Sequence, residues 1–223
     1  MDKWKIGVSI LLVVGLGFYG FYQNNPPSAA NSSETNGNGD NKSNTDSKNP
    51  PPAPPDVQKD ALLNKPAIDW DIAPEYWVNT PHPITLKDLK GSVTLLEFWR
   101  ANCIHCQEAA PFMSQLYDHL HPRGLKMVTF ESPGQPNADN LENNWQQVQG
   151  KVKEWKLPYP VAFDKGRVLF NKYHGNLYPM VIVLDKSGHV AFLQTGHDQA
   201  KAQALTRYLG YILGSEGNST KKK

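Results

Sequence analysis

The sequence predicts an α/β layer fold, a mixed central β-sheet flanked by helices. Three observations predict it. Strand-like and helix-like patterns alternate between about residues 60 and 214. A hairpin signal, Asp185-Lys186-Ser187-Gly188, joins two short apolar runs near the end of that region. An amphipathic pattern then closes the domain as a helix.

The elements follow in order. Val93–Trp99 is a mostly apolar run of β-formers and reads as a buried strand. Asn102 is a favourable N-cap, so a helix is expected from Cys103. Its apolar stripe is Cys106, Ala110, Met113, Tyr117 and Leu120, spaced four and three. Pro111 lies inside it and should bend it. Leu125–Phe130 is the next strand, followed by a helix with Leu141, Trp145, Val148, Val152 and Trp155 on one face. Tyr159–Phe163 is a short strand and Val168–Tyr173 a short helix. Met180–Leu184 and Val190–Gln194 form the hairpin, and Ala202, Leu205, Leu209 and Ile212 mark the face of the closing helix.

Other segments flank this domain of residues 60–214. Residues 1–22 hold an uncharged apolar run, Ile6–Tyr22, behind Lys3 and Lys5. Its 17 residues fall at the short end of what spans a bilayer as a helix. Trp4, Tyr19 and Tyr22 suit its two interfaces, and the lysines favour an inside N-terminus. The competing reading is a signal segment cleaved after Ser28-Ala29-Ala30. Either way the domain is expected outside the cytosol, on the outer face of a bacterial cell membrane. Residues 23–59 are rich in Asn, Ser and Pro and are expected to form a disordered linker. Its reach should be on the order of 30 Å. Residues 215–223, ending in three lysines, read as a disordered basic tail.

The formal net charge is only +2 over 223 residues, which gives no sign of a nucleic-acid partner. The two cysteines, Cys103 and Cys106, are three positions apart. A disulfide closing so short a loop adds little stability, so the pair reads as chemistry rather than as a staple. At a helix start, the positive end of the dipole favours a thiolate on Cys103, and His105 can add a cation or a donor. Both effects stabilise the dithiol and make the pair more oxidising. Half of a zinc site is the alternative for a CxxC. There is no second CxxC, and the seven histidines show no metal-like pairing. Residue 107 is Gln, so the motif is not a c-type haem site.

Glu97 interrupts an apolar strand six residues before Cys103. Buried there, it would have a raised pKa and could take the Cys106 proton when a mixed disulfide resolves. Exposed at a sheet edge or paired to a lysine, it would have no such role. Tyr178-Pro179 precedes the Met180 strand, where proline is tolerated as a boundary. A cis turn beside the CxxC is the sharper reading, presenting the Tyr178 backbone to an extended substrate.

These segments resemble the thioredoxin superfamily, most closely the TlpA/ResA-like membrane-anchored thiol–disulfide oxidoreductases and their DipZ-like branch. Thr94–Cys106, Pro111, Tyr159–Asp164 and Tyr178–Gly188 carry the resemblance. It implies a thioredoxin-like fold, Cys103 as nucleophile, Cys106 as resolving thiol, a buried acid at Glu97 and a cis Pro179. His105 joins the catalytic set, and Tyr178, Pro179, Trp99 and Ile104 the substrate-binding set. No cofactor beyond a redox-active Cys103–Cys106 disulfide is implied. The expected partners are cysteine-containing exported proteins and a membrane thiol electron-transfer protein. Asn102 stands where thioredoxins have Trp, and Ala109 where ResA-like reductases carry Glu.

The function expected is extracytoplasmic thiol–disulfide exchange. Two other classes compete. A peroxiredoxin-like peroxide reductase would need Thr or Ser three residues before the cysteine and Pro seven before; here those are Arg100 and Leu96. A non-enzymatic metal carrier would use both cysteines and a histidine.

Overall fold

The computed structural model describes residues 60–133 and 141–215, excepting the side chains of 141–144 and 215. The apolar run at 6–22, the 23–59 linker and the tail from 216 lie outside the described residues, as does the side chain of Leu141.

The strands are Trp77–Val78 (β1), Thr94–Trp99 (β2), Lys126–Glu131 (β3), Val161–Phe163 (β4), Met180–Leu184 (β5) and Val190–Thr195 (β6). The helices are Leu86–Leu89 (α1), Ile104–Leu120 (α2), Leu141–Glu154 (α3), Val168–Lys172 (α4) and Gln199–Ser215 (α5). The sheet is mixed, in the order β1-β4-β3-β2-β5-β6. β2 runs parallel to β3 and antiparallel to β5, and β5–β6 is the expected hairpin.

Side chains alternate across a strand, so each strand feeds two cores. Leu95 and Trp99 of β2 and Met127 of β3 lie on the face packed by Cys106, Met113 and Leu116 of α2, Val148 and Val152 of α3, and Leu205 and Leu209 of α5. Leu96 and Phe98 face the opposite way, onto Trp70, Phe130, Phe170 and Tyr173. The β2 strand is buried at every position, which is why its sequence is a nearly continuous apolar run rather than an alternating one.

Segment 60–92 carries no periodicity that predicts its structure, yet it finishes the sheet. Asn64 N–H donates to the Val190 carbonyl at 2.8 Å and Val190 N–H to the Lys65 carbonyl at 2.9 Å. β1 pairs with β4 through Trp77↔Ala162. The segment thus supplies the edge strand β1 beside β4 and pairs with β6 at the opposite edge, which leaves less open edge for association.

Several details differ from the sequence reading, among them strand ends shifted by one or two residues. α2 begins at Ile104, and its N-cap is Cys103, not Asn102. A thiol sulfur supplies the acceptor that the Asn carboxamide was expected to supply. Leu116 is buried in place of Tyr117, which is half-buried and stacks on His121 at 4.7 Å. α5 continues through Ser215, one residue past the expected end of the domain, and buries Ala204 and Tyr208 beside Leu205 and Leu209.

Candidate redox site

The end of β2 delivers the chain to a tight turn and then to α2. Cys103 N–H donates to the Arg100 carbonyl at 3.1 Å, and Gln107 N–H to the Cys103 carbonyl at 3.0 Å. Cys103 itself keeps an extended backbone (φ −105°, ψ 116°), and its Sγ accepts from the Cys106 N–H at 3.3 Å. The sulfur thus satisfies one of the free N–H groups of the first helical turn. Both cysteines are unbonded thiols here. Cys103 is half-buried, whereas Cys106 is 2% exposed. Burial first, and then the hydrogen bond to Cys103, push the Cys106 thiol far above its usual range. The first sulfur is therefore the one open to solvent, and the second is held protonated behind it.

Glu97 lies on the same sheet face as Trp99 and is 3% exposed. Burial alone pushes its carboxyl up to about 8. Its charge in turn helps raise the Cys106 thiol and the Tyr159 hydroxyl. The edge and lysine-pair alternatives for Glu97 are excluded by this placement: β2 is central, and no cation among the described residues offsets the burial. A proton-accepting carboxyl electrostatically linked to a buried thiol suits proton transfer at neutral pH.

The Tyr178–Pro179 bond is cis. Met180 pairs with Phe98, so Tyr178 and Pro179 run alongside the β2 end that leads to Cys103. The Pro179 carbonyl accepts from Gly196 N–H at 2.7 Å. The Tyr178 ring is turned inward, stacked on Phe170 at 4.3 Å, with Arg100 and Arg167 over it at 5.8 and 5.7 Å.

Ile104, next to Cys103 in the chain, is 61% exposed. The place of Trp99 is a correction to the sequence reading. It is 2% exposed beneath the helix, donates its indole N–H to Thr129 Oγ1 at 3.3 Å and packs on Trp155. A substrate cannot touch it; it is core because it alternates in register with Leu95 and Glu97. His105 is exposed, and its Nδ1 meets Glu108 Oε2 at 3.0 Å.

Sequence reading missed a second buried acid. Glu131 ends β3 opposite Trp99, is 3% exposed and accepts from Ala101 N–H at 3.0 Å through Oε1. The available signal was its place at an apolar strand end, in step with Met127 and Thr129. Asp164 was missed too; its carboxylate accepts from Ser132 Oγ, Leu169 N–H and Phe170 N–H at 2.7, 2.8 and 2.9 Å. Among the described residues no three His, Cys, Asp or Glu side chains converge as a metal site would require.

Comparison with known proteins bears on this arrangement. Residues 64–193 match the model of the AhpC/TSA family. The thiol-disulfide oxidoreductase ResA of a Bacillus cereus strain is 34% identical over 129 residues, 58% of this chain and 68% of ResA. Protein DipZ of Mycobacterium tuberculosis is 30% identical over 140 residues, 60% of this chain. The chain spans only 19% of the length of that DipZ. Among solved structures, a thiol-disulfide isomerase from Corynebacterium glutamicum superposes with a TM-score of 0.53 at 18% identity, covering 64% of this chain and 96% of its own. A thioredoxin-like protein in its oxidised form superposes at 0.57 and 22% identity, covering 70% and 98%. At those identities the likeness speaks to the fold, which is thioredoxin-like.

Proposed function

This chain belongs to the AhpC/TSA family, among its thioredoxin-fold thiol–disulfide oxidoreductases, and from there we propose that Cys103 and Cys106 carry the exchange. The observation that carries the proposal is the Cys106 N–H to Cys103 Sγ bond at 3.3 Å, with one sulfur reachable and the other buried. In a reductive turn, the Cys103 thiolate attacks a substrate disulfide. A mixed disulfide forms, and the substrate's other sulfur leaves as thiolate. Glu97 takes the Cys106 proton, and the Cys106 thiolate attacks Cys103 Sγ. The substrate's second sulfur leaves as a thiolate, the proton on Glu97 and one from solvent complete its dithiol, and the Cys103–Cys106 disulfide remains. The oxidative turn is the reverse. Ile104 and the Tyr178–Pro179 backbone would form the contact surface for an extended cysteine-containing polypeptide.

The proposed setting is the outer face of a bacterial cell membrane, acting on exported proteins and recharged by a membrane thiol electron-transfer protein. Supporting it are the uncharged run 6–22, the lysines ahead of it and the Asn/Ser/Pro-rich stretch behind it. Insulin-disulfide reduction and dithiol oxidation by the purified chain, compared with Cys103→Ser, test the chemistry. The variant should lose both activities, and retention of either overturns the assignment of Cys103. The equilibrium against glutathione fixes direction: a potential near about −120 mV marks an oxidant, and one near about −270 mV a reductant.

A further inference from the structure

Glu131 has no part in the exchange just described, yet it is built into the turn that carries Cys103. Its side chain lies on the sheet face that holds Glu97 and Trp99. Oε1 accepts from the N–H of Ala101, two residues before Cys103, while Oε2 is buried with no hydrogen-bond partner among the described residues. Three elements bring charged or titratable groups against it: Arg100 from the turn after β2, Asp164 from the turn after β4, and Tyr178 ahead of β5. Asp164 is occupied by three donors of its own. Arg100 lies over the Tyr178 ring, and its Nε is buried without a hydrogen-bond partner among the described residues. Ala101 N–H is therefore the donor, among the described residues, that holds this carboxyl.

We propose that Glu131 is a positioning residue of the redox site, whose carboxylate ties the Arg100–Cys103 turn to the end of β3 and so sets how Cys103 is presented. This role rests on Cys103 being the attacking sulfur. A carboxylate accepts a stronger hydrogen bond than a neutral group does. Burial first raises the Glu131 carboxyl, the Ala101 N–H lowers it, Asp164 raises it and Arg100 lowers it, leaving it pushed up to about 7. The tie is thus tight above neutral pH and slack below it.

The test uses the full-length chain in its dithiol form. Cys103 alkylation by iodoacetamide is followed from pH 5 to 9 in the natural protein, Glu131→Gln and Glu131→Ala. Gln keeps an oxygen for Ala101 but cannot ionise. The natural protein and Glu131→Gln should agree at about pH 5.5 and diverge by about fivefold above about pH 8, with the step near 7. Glu131→Ala should depart from both at every pH. Profiles for Glu131→Gln that overlay the natural one, or differ by a constant factor, overturn the inference. If Glu131→Ala fails to fold, Glu131→Gln decides alone. Alkylation reads the sulfur directly, so this outcome is distinct from the insulin test of Cys103→Ser.

Discussion

Cys106 N–H donates to Cys103 Sγ, and one atom is therefore both the cap of α2 and the reachable sulfur of the pair. Under the proposed function, chemistry and local stability share it. Cys103→Ser keeps a capping oxygen and should unfold within about 0.5 kcal/mol of the natural dithiol. Cys103→Ala leaves the first-turn N–H without its cap and should cost about 1 kcal/mol. Urea denaturation of the reduced proteins distinguishes the two, and an Ala variant as stable as the Ser variant would remove the sulfur from the cap.

Cys106→Ser should stop the cycle at the mixed disulfide. The buried sulfur is the one placed to attack Cys103 from within, so a serine there leaves the substrate attached. Non-reducing gel electrophoresis after incubation with a disulfide substrate should show a covalent, dithiothreitol-sensitive complex. Its absence would mean that resolution comes from elsewhere.

Glu97 carries a pH signature of known sign. Its folded-state pKa of about 8 lies above the ordinary carboxylate value, so the native state holds a proton that the unfolded chain releases. The stability this proton contributes is fully present below about pH 4.5 and falls as pH rises toward 8, by an amount on the order of a few kcal/mol. Glu97→Gln should flatten that slope. The same variant should slow resolution of the mixed disulfide by about a hundredfold at neutral pH, the scale of one lost proton acceptor. Urea midpoints at several pH values and quenched-flow kinetics measure the two effects. A natural protein whose pH slope from about 5 to 8 matched that of Glu97→Gln would contradict the placement of Glu97.

Gly175 touches the site through packing. A Cβ at Gly175 would sit against the Phe170 ring, at 2.4 Å, and this is the ring on which Tyr178 stacks. Gly175→Ala should destabilise by about 1–3 kcal/mol through overpacking. It should also displace Tyr178, visible as a change in near-ultraviolet circular dichroism and in the KM for a peptide disulfide. An unchanged near-ultraviolet spectrum would show that the ring pair can give way without cost.

Ile104→Ser tests the contact surface. The side chain is largely exposed, so stability should change by less than about 0.5 kcal/mol. KM for a polypeptide substrate should rise severalfold while small disulfides are unaffected. Equal effects on both would mean that Ile104 acts on the sulfurs and not on the substrate.

The sequence by itself determined the order of elements from β2 onward, the hairpin, the CxxC at a helix start and the presence of an acid within β2. Each of these is local: period, turn chemistry and spacing write them directly into neighbouring residues. Tertiary structure alone decided what the side chains face. Trp99 reads as a site residue beside the CxxC, but register with β3 turns it into the core. His105 is adjacent to Cys106 and two residues from Cys103, yet the first turn of α2 points it at Glu108 in solvent. Glu131 stands far along the chain from Cys103 and carries no motif, and only parallel pairing of β2 with β3 brings it to Ala101. Burial and cross-strand proximity depend on pairing between distant segments, and no periodicity along one strand records which segment will lie beside it.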